Sequence, residues 1–156
     1  MSKTIRNNRV INDIKALVNH DIPDTIHDVH INDADIYSDH EVVLKGPKDT
    51  LFENGFFKLV ITMPSDYPYK PPKMKFLTKM YHPNIASDGT ICIDILKDQW
   101  SSALRLNTVI LSISSLLANP NPNDPLVPEI ANEYSYNRDK YNKNVIDYVK
   151  NYATYI

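Results

Sequence analysis

Apolar residues recur at Val10, Ile14, Leu17 and Val18 with polar residues between them, the spacing of one buried helical face. Ser2 or Thr4 is placed to cap that helix, and His20-Asp21-Ile22-Pro23-Asp24 ends it, because a residue preceding proline resists the helical region. The period then shortens. Over residues 26–63 the apolar residues come in short runs, 36–44 and then Phe56-Phe57-Lys58-Leu59-Val60-Ile61, which predict antiparallel strands. Lys45-Gly46-Pro47-Lys48-Asp49 and Glu53-Asn54-Gly55 supply turns, and residues 73–77 a further strand. Helical spacing returns at Val109, Ile113, Leu116 and Leu117, with Ile110 beside them, which predicts a helix over 108–118 capped by Asn107. Two more helices follow, from 127 to about 134 and from about 137 to 152, the second with Tyr141, Val145, Tyr148, Val149 and Tyr152 on one face.

Between these elements the chain is stiffened by proline. Pro64, Pro68, Pro71 and Pro72 make residues 63–72 a rigid loop that leaves Tyr69 and Lys70 exposed, with Tyr67-Pro68 a candidate cis bond. Pro120, Pro122, Pro125 and Pro128 do the same for residues 119–128. With 3 glycines against 11 prolines, turns must be built largely by Pro, Asn and Asp. The order of helix, strands, irregular stretch and helices is that of an α+β fold with helices segregated from the sheet. Its 156 residues suit one domain over 1–156 with no extension, repeat or linker.

A formal net charge of -2 gives no reason to expect nucleic acid. Lys3, Arg6, Arg9 and Lys15 read as a solvated helix face, with a docking surface as the alternative. A single cysteine excludes an internal disulfide and favours a reducing compartment, and no signal segment or bilayer-length apolar run is present. The expected location is cytoplasmic or nuclear.

That cysteine, Cys92, lies in the stretch Tyr81-His82-Pro83-Asn84-Ile85, Ala86-Ser87-Asp88-Gly89, Ile91-Cys92-Ile93-Asp94. A cysteine protease would need a histidine to ionise it, but His82 in a His-Pro pair reads as a turn residue. One thiol and no histidine cluster disfavour a metal site. A redox thiol wants an electropositive setting, whereas Asp88 and Asp94 flank this one. A plain core cysteine between Ile91 and Ile93 is the bland alternative. Acyl carriage by thioester exchange remains, since exchange between similar thiols is near balance. Discharge to an amine needs an oxyanion donor, for which Asn84 is a candidate worth roughly 3–4 kcal/mol of barrier. Carboxylates such as Asp94 and Asp124 could orient an incoming amine or help remove its proton.

The chain resembles the ubiquitin-conjugating enzymes over nearly its whole length. The resemblance is carried by Tyr67-Pro68-Tyr69-Lys70-Pro71-Pro72, Tyr81-His82-Pro83-Asn84-Ile85, Gly89-Thr90-Ile91-Cys92-Ile93-Asp94-Ile95-Leu96, Gln99-Trp100-Ser101-Ser102-Ala103-Leu104 and Asn121-Pro122-Asn123-Asp124-Pro125-Leu126-Val127-Pro128-Glu129-Ile130-Ala131. It is most similar to the small, core-domain-only subgroup that works with many RING-type and HECT-type ligases. The resemblance implies an N-terminal helix, a four-stranded antiparallel sheet, an active-site loop, a crossover helix and two C-terminal helices. It implies that Cys92 accepts ubiquitin from the activating enzyme as a thioester and passes it to a substrate lysine or a ligase cysteine. Asn84 would stabilise the oxyanion or hold the active-site loop, and Asp94 and Asp124 would stand where the lysine enters.

Ligase contacts, to RING, U-box or HECT partners, would fall on Arg6, Arg9, Tyr69, Lys70, Ser101, Ser102 and Ala103. Leu111, which lies between the stripe positions, and Ser112 would meet the donor ubiquitin. The implied enzyme is a monomer with no metal and no cofactor of its own, ATP being consumed by the activating enzyme, and with no membrane partner. Departures are Ser102 for a usual proline, Ile5 and Thr108 for basic residues, Asn54-Gly55 for Gly-Gly, no aromatic near His40, and no match at residues 26–31. The alternatives are a carrier of another ubiquitin-like modifier and a non-catalytic ubiquitin-binding scaffold, though such modules lose the cysteine. Abundant Asn, Ile, Lys and Tyr suggest an AT-rich genome, parasite or viral; a viral source would put the protein in host cytoplasm or the virion.

Overall fold

A computed structural model describes residues 2–19 and 22–155. Helix α1 (Lys3–Val18) leads into strands β1 (Ile26–His30), β2 (His40–Lys45), β3 (Phe56–Thr62) and β4 (Lys73–Phe76). A one-turn 3₁₀ segment (Asp94–Leu96) precedes α2 (Leu106–Ala118), α3 (Pro128–Tyr136) and α4 (Arg138–Tyr152). The strands form an antiparallel meander in the order β1-β2-β3-β4. Alternation sets its faces: Phe57, Leu59 and Ile61 of β3 and Met74 and Phe76 of β4 point into the core, while Lys58, Lys73 and Lys75 point out. The buried faces of α1, α2 and α4 complete one continuous core with the sheet.

Ser2 caps α1 by accepting the Ile5 N–H, so Thr4 lies inside the helix. Val18 is exposed, and the unexpected buried residue is Asp13. Asp13 takes Arg9 Nε on one oxygen and Arg105 Nη1 on the other, each at 2.8 Å, and also accepts the Tyr67 hydroxyl. One carboxylate thus ties α1 to the proline loop and to the entrance of α2. The Tyr67-Pro68 peptide is cis. Trp100 Nε1 donates to the Pro68 carbonyl at 2.9 Å, joining that loop to the segment before Ser101.

Several boundaries differ from expectation. His20 and Asp21 of the expected helix stop lie outside the described residues. Of the 36–44 run only residues 40–44 are strand, because Asp35 and Ser38 close a turn before them. Strand β4 stops before Leu77, which is exposed. Asn107 is not a cap: α2 starts at Leu106 behind Arg105, and the buried Asn107 Oδ1 has no hydrogen-bond partner among the described residues. Helix α3 runs on to Tyr136, with Val127 as its cap and Pro128 in the first turn.

Beyond β4 the chain returns along the sheet edge. Phe76 N–H donates to the Gly89 carbonyl at 3.0 Å, and Thr90 bridges to Lys75. Gly89 has φ 92°, and a Cβ there would stand 1.9 Å from the Phe76 carbonyl oxygen, so no other residue fits. This edge contact carries Ile91 into the core and brings Cys92 out at its margin.

Candidate active site

Cys92 is half-buried, which rules out the core-cysteine alternative. Its N–H donates to the Asn84 carbonyl at 2.9 Å, so the two residues are paired through the backbone. The side chain of Asn84 faces the 119–127 loop. Nδ2 donates to the carbonyls of Asn121 (2.8 Å) and Asp124 (3.0 Å), and Oδ1 accepts the Asn121 N–H at 2.8 Å. Two carbonyls and one N–H admit only this orientation of the amide. Both Nδ2 protons are engaged, leaving none for a further acceptor in this conformation.

His82 is buried behind Asn84. Its Nδ1 accepts the Asn84 N–H at 3.0 Å and its Nε2 lies 2.8 Å from the Leu116 carbonyl, so the neutral ring with the proton on Nε2 satisfies both contacts. Burial away from water pushes its pKa down to about 4, against an upward pull from the Leu116 carbonyl. With both nitrogens occupied and the ring uncharged, His82 has no means of ionising the thiol. It is the turn residue that its His-Pro context predicts.

The sulfur meets solvent between two charged side chains. The thiol points toward Asp124 Oδ2 at 3.7 Å, and Lys97 Nζ lies 3.3 Å from Sγ. The setting is therefore mixed in charge, not acidic as the sequence suggested. Lys97 follows the 3₁₀ segment, held by its N–H to the Asp94 carbonyl at 2.9 Å. The Asp94 carboxylate is exposed and makes no hydrogen bond or ion pair among the described residues, so Asp124 and not Asp94 is brought to the sulfur.

Tyr69 is 56% exposed, and Lys70, Ser101, Ser102 and Ala103 are also exposed. The Arg9 side chain is only 15% exposed, and besides Asp13 it donates to the carbonyls of Ser102 (2.7 Å) and Leu104 (2.6 Å), so it shapes the 101–104 turn from beneath. Arg6 is half-buried. Leu111 is 44% exposed on α2, and Ser112 beside it donates to the Thr108 carbonyl at 3.0 Å. Among the described residues no three His, Cys, Asp or Glu side chains are grouped to hold a metal. Sequence reasoning missed Lys97, Asn121 and Asp13. Nothing in linear spacing announces that a 3₁₀ turn brings Lys97 back onto the sulfur.

The sequence model of the ubiquitin-conjugating enzyme family matches residues 9–149. Among solved structures the chain is similar to the E2 domain of a Toxoplasma gondii ubiquitin conjugating enzyme, with 37% identity and a TM-score of 0.85, over 95% of this chain and 99% of that one. It is also similar to a Plasmodium yoelii protein described as a ubiquitin conjugating enzyme, with 41% identity and a TM-score of 0.87, over 97% of each chain.

Proposed function

The chain belongs to the ubiquitin-conjugating enzyme family, and from that premise we propose that Cys92 receives ubiquitin from an activating enzyme and releases it to a lysine. The observation that carries this is a solvent-reachable sulfur bordered by the Asp124 carboxylate and backed by the Asn84 latch. In loading, the Cys92 sulfur attacks the thioester carbonyl of the activating enzyme, whose own thiol leaves. In discharge, the acceptor amine attacks the carbonyl carbon, the C–S bond breaks and an isopeptide bond forms.

The exposed carboxylates of Asp124 and Asp94 attract the incoming ammonium, and Asp124 is placed to take a proton from the attacking amine. Asn84 serves this step by fixing the loop that holds Asp124. RING, U-box or HECT ligases dock across Tyr69, Lys70 and Ser101–Ala103, two segments that Trp100 ties together. Donor ubiquitin folds back on Leu111 and Ser112.

The test is a charging assay with activating enzyme, ATP and ubiquitin. We expect a thiol-sensitive adduct that Cys92→Ala abolishes. Charging by a different ubiquitin-like modifier alone would reassign the cargo, and no adduct with any modifier would return the chain to a binding module. Asp124→Ala should charge normally and discharge to free lysine about 10- to 100-fold more slowly.

A further inference from the structure

The 101–104 turn rests on an excess of positive charge. Leu104 N–H donates to the Ser101 carbonyl at 3.0 Å, which closes the turn and puts Ser102 at its corner. Beneath it, Arg9 donates to the Ser102 carbonyl at 2.7 Å and shares Asp13 with Arg105, so two guanidiniums meet one carboxylate. Arg105 is the less engaged of the two. Its side chain is 60% exposed and, among the described residues, bonds only Asp13, through Nη1 at 2.8 Å. Arg105 also stands directly before α2, a helix that no side chain caps, so the N–H groups of the first turn add to the positive potential. The two serines of the turn differ. Ser101 Oγ accepts the Ala103 N–H at 3.2 Å, whereas the Ser102 hydroxyl is exposed and makes no hydrogen bond among the described residues.

We infer that Ser102 is a phosphorylation site, that Arg105 and the start of α2 receive the phosphate, and that the modified turn no longer docks a ligase. Its effect on ligases rests on the docking proposed above. The donor is ATP held by a protein kinase of the class that reads an arginine on the C-terminal side of its serine, here Arg105 three residues on. Ser102 Oγ attacks the γ-phosphorus, and the Oγ–P bond forms as the bond to the β–γ bridging oxygen breaks. ADP leaves, and the hydroxyl proton passes to the base of the kinase. A dianion then faces a cluster with one positive charge in excess, an arrangement in which a phosphate makes about one to three new charge-assisted hydrogen bonds. The phosphate draws the turn down on Arg105 and reverses the sign of the charge offered to a ligase. Cys92 is untouched, so the modification acts on recognition and not on the thiol.

Three measurements on the full chain test this, two of them without ubiquitin. In the first, phosphoserine is incorporated at position 102 during synthesis and its phosphate is titrated by phosphorus NMR. Its second ionisation should fall about half a pH unit or more below the value of about 6 for free phosphoserine, and Arg105→Gln should restore that value. A phosphate that titrates at about 6 with Arg105 in place overturns the inference. In the second, the unmodified chain is incubated with ATP and a kinase of the stated class, and phosphate is mapped by mass spectrometry. Ser102 should be labelled about tenfold above any other exposed serine, and label that favours another serine overturns the inference. In the third, a RING domain that speeds lysine discharge from the charged, unmodified protein is applied to the phosphoserine form. Its acceleration should drop about tenfold and return after phosphatase treatment, whereas equal acceleration of both forms overturns the inference. Failure of the unmodified chain to charge with ubiquitin, alongside the expected titration and labelling, would sink the ubiquitin reading and leave the phosphate site standing.

Discussion

Two buried polar clusters hold the chain, and they are built on different physics. At α1, Asp13 gathers Arg9, Arg105 and the Tyr67 hydroxyl, a cluster of full charges. Behind the thiol, His82, Asn84 and the carbonyls of Asn121, Asp124 and Leu116 form a cluster with no net charge. Removing one partner from a buried ion pair strands the other charge, so the first cluster is costly to break. A neutral cluster costs less to break, yet it fixes the loop that carries Asp124 to the sulfur. One cluster decides whether helix and loops stay assembled; the other decides where a carboxylate stands.

The largest effect should come from the ionic cluster. Asp13→Ala leaves Arg9 and Arg105 unpaired and should cost about 3–5 kcal/mol in urea unfolding. A loss under 1 kcal/mol would mean that water already reaches this carboxylate. Next comes the pH response of the neutral cluster. The His82 pKa falls from 6.5 to about 4 on folding, so the unfolded chain binds a proton that the native chain refuses. Its contribution is complete above pH 6.5, declines by about 3 kcal/mol down to pH 4 and is flat below. Unfolding curves across that window check this, and His82→Gln should remove most of the slope.

Asn84→Ala frees one N–H and two carbonyls at the loop, for about 1–3 kcal/mol, and should slow lysine discharge far more than charging. Equal loss of both steps would show that the neutral cluster is structural only. The smallest change is Arg105→Ala. Its side chain is 60% exposed and Arg9 remains to meet Asp13, so about 1 kcal/mol or less is expected.

Both clusters were only half legible in the sequence. Asn84 stood out because an amide near a lone thiol has obvious chemistry, Asp124 because it lies in a run that resembles the family, and Leu111 because it fell between stripe positions. Asp13 did not, since a lone Asp on a helix otherwise reads as surface; its burial is made tolerable by Arg9 one turn before it together with Tyr67 and Arg105, far along the chain. Arg9 looked like a free cation for the same reason. Strand β1 (Ile-His-Asp-Val-His) escaped detection because it does not alternate: Asp28 bonds its own neighbour Val29 and the Tyr155 hydroxyl, and the register slips between Ile26 and Asp28. Asn107 misled as a cap because the helix begins two residues earlier than expected, with Leu106 drawn into the core.

Gly89 has the widest consequence. Because not even a methyl fits between it and the Phe76 carbonyl, the strip bearing the sulfur has a single height above the sheet, like a part resting on a machined stop. The exposed side chains of 101–103 can then be exchanged for others of different size or charge without displacing the reactive atom. Variety in what is recognised becomes independent of where the reaction happens.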